Sequence, residues 1–115
     1  MKGIGIDLVD QDRIRQIIQK HPNFIKRILT PAEINLFNKL KGDRQVTFLS
    51  GRFAAKEAFS KAYGTGIGPQ LSFQDIEVLN EASGRPYIAR SPYPSQALIS
   101  ISHDKDLATA IVYLD

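Results

Sequence analysis

Four side chains in this sequence have the chemistry for phosphoryl transfer: Asp7, Glu57, Lys61 and His103. Two carboxylates without a thiol or a histidine cluster suit a hard cation such as Mg²⁺, which commonly takes one or two protein carboxylates and completes its shell with water and phosphate oxygens. Lys61 follows Glu57 by one helical turn, and a lysine and a histidine can both meet phosphate charge. This set suits phosphoryl transfer, provided that folding brings the side chains together.

Each of these residues also has a plainer interpretation. Glu57 and Lys61 could form an exposed i,i+4 ion pair, which would stabilise a helix by about 0.2–0.5 kcal/mol. His103 stands where a strand enters a tight turn and could serve that turn alone. Asp7 is the strongest candidate on chemistry alone, because a carboxylate among apolar neighbours is costly to bury without a cation or hydrogen-bond donors.

The helix that carries the second carboxylate is the best-defined element of the sequence. It is predicted to run from residue 44 or 45 to Tyr63, with Gly64 as the left-handed residue that ends it. Its apolar residues recur at helical spacing. The small side chains of its alanines allow a neighbouring backbone to approach one face of the helix closely. Arg52 and Lys56 form another i,i+4 pair, which we place near the polar face of this helix.

Caps and breaks define the elements that precede this helix. Residues 2–9 are predicted to form a strand, in which GIG either marks close backbone packing or is a partial phosphate-binding loop. Asp10 caps a predicted helix over residues 11–20, and a proline then interrupts before a helix-like stretch at 24–29. The sequence Thr30-Pro31-Ala32-Glu33 is a capping box that begins a further helix.

The final third of the chain changes to the alternating pattern of β-strands. Four segments are predicted as strands, at residues 75–79, 85–89, 98–102 and 107–114. The last two are joined by a tight turn. The predicted fold class is α+β in a single domain over residues 1–115: one N-terminal strand, three helices and then antiparallel strands.

Composition and charge limit the classes of function. The chain has 43% hydrophobic and 23% charged residues and no cysteine, which excludes disulfides and thiolate chemistry and favours a cytoplasmic protein. Because no apolar run approaches the about 20 residues that cross a bilayer, and acidic residues interrupt the N-terminal apolar stretch, we expect neither a membrane span nor a signal peptide. Residues 1–61 hold 12 Lys/Arg and 6 Asp/Glu, whereas residues 62–115 hold 3 and 6. The basic first half would attract a polyanion: nucleic acid, an acidic protein or a phosphorylated cofactor.

Four stretches, in matching order and spacing, resemble the holo-[acyl-carrier-protein] synthases, the small bacterial phosphopantetheinyl transferases. They are GIGIDLVD at 3–10, FLSGRFAAKEAFSKAYGTGIG at 48–68, LSFQDIEV at 71–78 and SISHDKDLATAIV at 100–112. The resemblance implies an Mg²⁺-dependent enzyme of fatty acid biosynthesis. It would move the 4′-phosphopantetheine arm of coenzyme A onto a serine of apo-acyl carrier protein and release 3′,5′-ADP.

The resemblance also implies roles in the chemical step. Asp7 and Glu57 match the family's magnesium ligands, and Lys61 matches a lysine that contacts phosphate and assists the leaving group. Glu57, through a metal-bound water, is the favoured general base for the serine. His103 matches the family's histidine near the nucleotide phosphates.

Further positions match residues that bind the two substrates. Arg44 and Arg52 match basic positions near the 3′-phosphate of coenzyme A. Arg13 and, more loosely, Lys20 match a basic helix that docks the acidic recognition helix of the carrier protein. This docking helix would explain the lopsided charge of the sequence.

Two positions depart from the family pattern. Asn23 stands where some relatives have a basic residue of the docking surface. Asp104 brings negative charge beside the expected phosphate site. Family members of this length are homotrimers with sites between neighbouring subunits, so the resemblance implies a trimer.

Two rival functions stay open at this point. One is a non-catalytic module that binds coenzyme A or the carrier protein. The other is a nucleic-acid-binding domain, which would need aromatic residues along its basic face, whereas Phe48 and Phe59 have the spacing of core residues.

Overall fold

The computed structural model describes residues 2–115 and contains four α-helices, one short 3₁₀ turn and five strands within that range. In chain order the elements are β1 (Gly3–Asp10), α1 (Gln11–Lys20), α2 (Pro22–Ile28), α3 (Pro31–Asn38), α4 (Asp43–Tyr63), the 3₁₀ turn (Phe73–Asp75), β2 (Glu77–Asn80), β3 (Pro86–Arg90), β4 (Ala97–His103) and β5 (Leu107–Leu114).

The strands form two antiparallel sheets. A three-stranded sheet has the order β1-β5-β4, and β2 pairs with β3 in a separate hairpin. In the larger sheet Asp7 of β1 lies opposite Ala110 of β5, which in turn lies opposite Ile101 of β4. Helix α4 packs on one face of this sheet and contributes Leu49, Ala54 and Phe59 to the core, where each is fully buried. The predicted α+β class is therefore confirmed.

The helix count differs from the prediction, which gave three. The stretch at residues 24–29 is an independent helix, α2, because Pro22 occupies its first turn and cannot continue α1. The backbone of His21 donates to the carbonyl of Ile17 and ends α1 at that point. Similarly, strand β2 begins at Glu77 and not at residue 75, because residues 73–75 form the 3₁₀ turn.

Two glycines allow β1 to lie directly against α4. A Cβ placed on Gly3 would lie 2.2 Å from the carbonyl oxygen of Ala62, and one on Gly5 would lie 2.0 Å from that of Ala58. Real Cβ atoms do not approach oxygen this closely, so both positions require glycine. The packing interpretation of the GIG motif is confirmed, and the alanines of α4 face the strand as expected.

The placement of Arg52 and Lys56 on a polar face is wrong, because both side chains are buried, with 5% and 0% of their surface exposed. Lys56 Nζ donates to Glu33 Oε1 at 2.6 Å and to the carbonyls of Ile28 at 2.7 Å and Phe73 at 3.1 Å. Burial lowers the pKa of Lys56, and the neighbouring Glu33 partly opposes that effect. The lysine therefore joins α2, α3 and the 3₁₀ turn to α4 from inside the core.

The predicted capping box of Thr30 and Glu33 is present. Glu33 also connects α3 to β2 and to Lys56. Its Oε1 accepts from the backbone of Thr30 at 2.8 Å, and its Oε2 accepts from the backbone of Val78 at 2.8 Å. With Lys56 it forms a fully buried ion pair whose other polar contacts are satisfied. Loss of one partner would leave the other charge unpaired, which typically costs about 3–5 kcal/mol.

The face of the larger sheet that α4 does not cover is apolar and exposed. Because strand side chains alternate, alternate residues of all three strands point to this face. Its large apolar members are Ile4, Ile6, Leu8, Leu98, Leu107, Ile111 and Tyr113, each at least 37% exposed. Within residues 2–115, no helix has the length and apolar character needed to cross a membrane.

The contact between β1 and α4 can be tested by adding one methyl group. Gly5→Ala should destabilise the fold by about 1–3 kcal/mol or more, because the new Cβ meets a backbone carbonyl that cannot move away easily. Urea denaturation followed by circular dichroism gives the change in the free energy of unfolding.

Gly68→Ala is the matched control for this variant, since its Cβ would meet no atom within 4 Å and its φ is not positive. Equal stability of the Gly5 and Gly68 variants would show that the close approach is not required.

Candidate functional site

The packing of β1 on α4 brings three of the predicted residues together. Lys61 Nζ lies 3.1 Å from Asp7 Oδ1 and 3.0 Å from the carbonyl oxygen of Ile6. The Asp7 side chain is 15% exposed, whereas that of Lys61 is 54% exposed. Among the ion pairs of residues 2–115, Lys61 pairs with the strand carboxylate and not with Glu57, so the exposed i,i+4 pair considered above does not form.

Glu57 is in an environment that disfavours its ionised form. Burial raises the pKa of Glu57, and the negative charge of Asp7 raises it further, while Lys61 acts in the opposite direction. The two carboxylates come from different elements, but both line one cavity. Such a pair binds a proton or a cation more readily than an isolated carboxylate does.

Both carboxylates line the same cavity, which has a volume of about 280 Å³. It lies where β1, α1, α2 and α4 meet. Its polar lining includes Asp10 and Arg13, while its apolar wall is formed by Val9, Ile14, Ile17, Phe24 and Phe53. A charged group can therefore meet the carboxylates at one part of the cavity while an apolar group packs against the other.

The donor set fits Mg²⁺ better than a transition metal. Within residues 2–115 no group of three or more His, Cys, Asp or Glu side chains could hold a metal ion by itself. A two-carboxylate site supplies hard oxygen ligands and leaves most coordination positions for water and phosphate oxygens, which is the usual magnesium arrangement. Asp7 and Glu57 are the residues that would hold the ion.

His103 and Arg44 line another cavity, of about 400 Å³. His103 is the last residue of β4, and Arg44 lies in the first turn of α4, with Thr47 and Phe48 beside them. A third concavity, of about 240 Å³, is lined by both Leu8 and His103 and so lies between the other two. Within one chain, the predicted catalytic residues are therefore divided between neighbouring cavities.

The structure does not bring Arg52 to these cavities. Its Nε donates to the carbonyl oxygen of Val78 at 3.2 Å, and its NH2 donates to Asn80 Oδ1 at 2.6 Å. The guanidinium also lies over the ring of Phe48, 4.2 Å from its centroid. Burial lowers the pKa of Arg52 to about 10. These contacts join α4 to β2, and they give no support to the predicted contact between Arg52 and a nucleotide phosphate.

The residues predicted to dock a carrier protein lie on α1 and are exposed. Arg13 lines the cavity of the two carboxylates, and Lys20 is the last residue of the helix. Arg15, by contrast, is bound to Asp12 at 2.7 Å and to Asp43 at 3.1 Å, so it links α1 to the start of α4.

Asp104, which departs from the family pattern, stabilises the turn between β4 and β5. Its Oδ1 accepts from the backbone of Asp106 at 2.8 Å and of Leu107 at 2.7 Å. These two bonds lower the pKa of the Asp104 carboxyl, so its charge is directed into the turn. An Asp followed by a polar, tight connection is a known signal for such a turn.

Sequence reasoning missed two polar residues of the interior. Glu33 was identified only as a cap, because its pairing partner Lys56 is distant in sequence. Gln11 was assigned no role, yet it is only 3% exposed and makes side-chain hydrogen bonds to residues 104, 107 and 47. No local pattern marks either contact, since each depends on chain segments that meet only in the fold.

Comparison with known proteins identifies the family. A family model described as the 4'-phosphopantetheinyl transferase superfamily matches residues 3–112. The holo-[acyl-carrier-protein] synthase of Enterococcus faecalis is 53% identical over 115 residues, which is 100% of this chain and 97% of that protein. The enzyme of the same name from Streptococcus sanguinis is 50% identical over 115 residues, or 100% of this chain and 95% of that protein.

Solved structures give the same result. The holo-(acyl-carrier-protein) synthase of Bacillus anthracis in complex with CoA (3',5'-ADP) has a TM-score of 0.91 and 48% identity, covering 97% of this chain and 94% of that one. The holo-[acyl-carrier-protein] synthase of Helicobacter pylori in complex with coenzyme A has a TM-score of 0.82 and 36% identity, covering 95% and 96%. From its sequence, its fold and the convergence of Asp7, Glu57 and Lys61, the chain belongs to the 4'-phosphopantetheinyl transferase superfamily, among the holo-[acyl-carrier-protein] synthases.

Proposed function

We propose that this protein transfers the 4′-phosphopantetheine arm of coenzyme A onto a serine of apo-acyl carrier protein and releases 3′,5′-ADP. The observation that carries the proposal is the meeting of Asp7 and Glu57 in one cavity, with Lys61 bound to Asp7. A non-catalytic binder of coenzyme A has no need for a glutamate whose pKa is raised by burial and by a neighbouring aspartate.

The proposed chemistry forms one bond and breaks one. The serine oxygen attacks the phosphorus that carries pantetheine, and the bond from that phosphorus to the bridging oxygen of the pyrophosphate breaks. Mg²⁺ held by Asp7 and Glu57 would supply positive charge to the pyrophosphate oxygens when bound. Lys61 is close enough to the carboxylates to contribute a second positive charge where the leaving phosphate develops its own.

Glu57 is the residue we assign as general base for the serine proton. Without a bound cation, burial and the charge of Asp7 raise the pKa of Glu57. A bound Mg²⁺ would favour the ionised carboxylate, which is the form that accepts a proton. Asp7 remains paired with Lys61 and acts mainly as a ligand and a source of negative charge.

We assign Arg44 and His103 to the binding of the nucleotide half of coenzyme A. Both line one cavity, and an arginine and a histidine can both donate to phosphate oxygens. That cavity is separate from the carboxylate cavity, although Leu8 and His103 line the concavity between them. Coenzyme A carries a 3′-phosphate and a 5′-pyrophosphate on one nucleoside, so it could extend from the cavity of Arg44 and His103 to the cavity of the two carboxylates.

The carrier protein would dock on α1, through Arg13 and Lys20. Arg13 lines the cavity that contains the carboxylates, so a partner bound to Arg13 would present its serine near the reacting phosphate. An acidic carrier also fits the excess of basic residues in the first half of the sequence. Nucleic acid fits less well, because Phe59 is fully buried and Phe48 packs under Arg52, so neither offers an exposed ring for stacking.

A homotrimer with sites between its subunits is part of the proposal. Exposed apolar patches of this kind usually mark an interface, and the uncovered sheet face presents seven large apolar side chains. A shared site would also explain why the predicted residues of one chain are divided between neighbouring cavities. We further propose that the enzyme is cytoplasmic, where its substrates are made and where a cysteine-free chain is unremarkable.

The proposed reaction is tested directly by mass spectrometry. The protein is mixed with apo-acyl carrier protein, coenzyme A and Mg²⁺, and the carrier should gain one phosphopantetheine group while 3′,5′-ADP appears in equal amount. Omission of Mg²⁺ with a chelator should stop the reaction. A carrier of unchanged mass would reject the enzymatic proposal.

The role of Glu57 predicts that replacing it will reduce activity without reducing the stability of the fold. Glu57→Gln should reduce kcat by at least about 100-fold, since it removes both a metal ligand and the base. Without metal, the pKa of Glu57 is higher in the folded protein than in the unfolded chain, so the ionised carboxylate destabilises the fold. The folded protein therefore becomes more stable as the pH falls through the raised pKa and Glu57 takes up a proton. The glutamine variant cannot titrate and should therefore be at least as stable as the wild type at neutral pH without metal.

The control for this variant is Glu81→Gln, which makes the same change at an exposed residue outside the cavity. Steady-state kinetics and thermal melts across pH give the two readouts. Near-normal kcat in Glu57→Gln would show that the metal site and the base have been wrongly assigned.

Docking on α1 predicts a selective change in the Michaelis constant. Arg13→Glu should raise KM for the carrier protein by roughly 10-fold, because a like-charge contact replaces an attractive one, while KM for coenzyme A changes little. Arg85→Glu, the same charge reversal at an exposed arginine in the connection between β2 and β3, should leave both constants unchanged. An unchanged KM for the carrier in the Arg13 variant would remove this helix from the interface.

The oligomer predicts a mass of three 12.8 kDa chains by light scattering after size-exclusion chromatography. Ile6→Lys, on strand β1 of the uncovered sheet face, should dissociate the trimer and abolish turnover, because it places a charge in an apolar interface. A wild-type monomer at micromolar concentration that retains activity would contradict this assembly.

A further inference from the structure

The turn that follows His103 is bound to helix α1 by a residue that the proposed mechanism does not use. Gln11 is the first residue of α1 and is 3% exposed. Its Nε2 donates to the carbonyl oxygens of Asp104 at 2.7 Å and Leu107 at 3.2 Å. Its backbone nitrogen donates to the carbonyl oxygen of Asp106 at 2.8 Å. Gln11 thus holds the turn that follows His103 at three points.

The other end of the same amide reaches α4. Thr47 Oγ1 donates to Gln11 Oε1 at 3.0 Å. Thr47 follows Arg44 by one helical turn and lines the same cavity as Arg44 and His103. One buried amide therefore connects α4, which carries Arg44, to the turn that directly follows His103.

The amide of Gln11 is fully used by these contacts. Both of its N–H groups face backbone carbonyls and its oxygen accepts from a hydroxyl, which fixes the orientation of the amide. A side chain without an amide would leave buried carbonyls and a hydroxyl without partners, so the turn or the helix would have to move to find others. Asp104 makes the turn itself stiff through its two backbone contacts, and so a shift would carry His103 with it.

We propose that Gln11 is a positioning residue. It fixes the turn that follows His103 relative to the first turn of α4, which carries Arg44, and thereby sets the affinity for the phosphate-bearing nucleotide half of coenzyme A. This inference rests on the proposed function of Arg44 and His103. Gln11 is not among the residues that line their cavity, so its effect passes through the elements it joins.

The proposal is tested by binding of 3′,5′-ADP, which requires no turnover. Gln11→Met keeps the length of the side chain and removes the amide, and it should raise the Kd measured by calorimetry by about 5-fold, in the range for loss of a net hydrogen bond. Gln16→Met makes the same change at an exposed position of the same helix and should leave Kd unchanged.

Thr47 provides a second pair of variants. Thr47→Val removes the hydroxyl that reaches Gln11 and should weaken nucleotide binding, whereas Thr47→Ser keeps the hydroxyl and should bind more tightly than Thr47→Val does. Gln11→Met combined with Thr47→Val should bind little worse than either single variant, because both remove the same connection.

A merely structural role is separated from positioning by the signals of His103. In ¹H–¹³C spectra the imidazole resonances of His103 should shift in Gln11→Met and not in Gln16→Met, while kcat at saturating coenzyme A stays near the wild-type value. A lower Tm with unchanged imidazole resonances and unchanged Kd would overturn the proposal.

The test also distinguishes this inference from the proposed function. If the wild type does not bind 3′,5′-ADP, the proposed function fails and the positioning role fails with it. If the wild type binds and Gln11→Met binds equally well, only the positioning role is rejected.

Discussion

The close contact between β1 and α4 is the constraint on which the candidate site depends. Gly3 and Gly5 allow the strand backbone to touch the carbonyls of α4, and no other residue type could do so without moving one element away. At this separation the next inward-facing residue of the strand, Asp7, reaches Lys61 and influences the ionisation of Glu57. The site is therefore a consequence of backbone packing, and the small residues around it matter as much as the charged ones.

The rotation of α4 about its own axis is set by charges of the interior. Lys56 is held in the core by Glu33 and two backbone carbonyls, while the following residue, Glu57, faces the cavity. Adjacent helical residues point about 100° apart, so fixing Lys56 inward also fixes the direction of Glu57. Buried ion pairs contribute little net stability but penalise other arrangements, and here the arrangement that they favour is the one that aims the carboxylate.

Two features of the structure support the proposed trimer. The predicted residues of one chain are divided between cavities, and one face of the larger sheet is apolar and uncovered. In the proposed trimer, the candidate site would extend over several neighbouring concavities and would be completed by a surface from another subunit. The larger sheet would then have two tasks, since its inner face supports α4 and its outer face joins the subunits. Residues of β1 alternate between these tasks: Asp7 points inward to the site, whereas Ile6 and Leu8 point outward.

The sequence by itself determined the elements and the chemistry of this protein. Local signals were sufficient for the capping box at Thr30, the left-handed Gly64 and the α+β order, because each depends on residues a few positions apart. The residue types at positions 7, 57 and 61, with their resemblance to a known family, were sufficient to indicate a phosphopantetheinyl transferase. Tertiary structure alone decided that Lys61 binds Asp7 and not Glu57, that Arg52 and Lys56 are buried, and that Gln11 joins a turn 93 residues away to α4. The physical reason is that burial and pairing of long polar side chains depend on which elements pack together, and periodicity along one element carries no record of its neighbours.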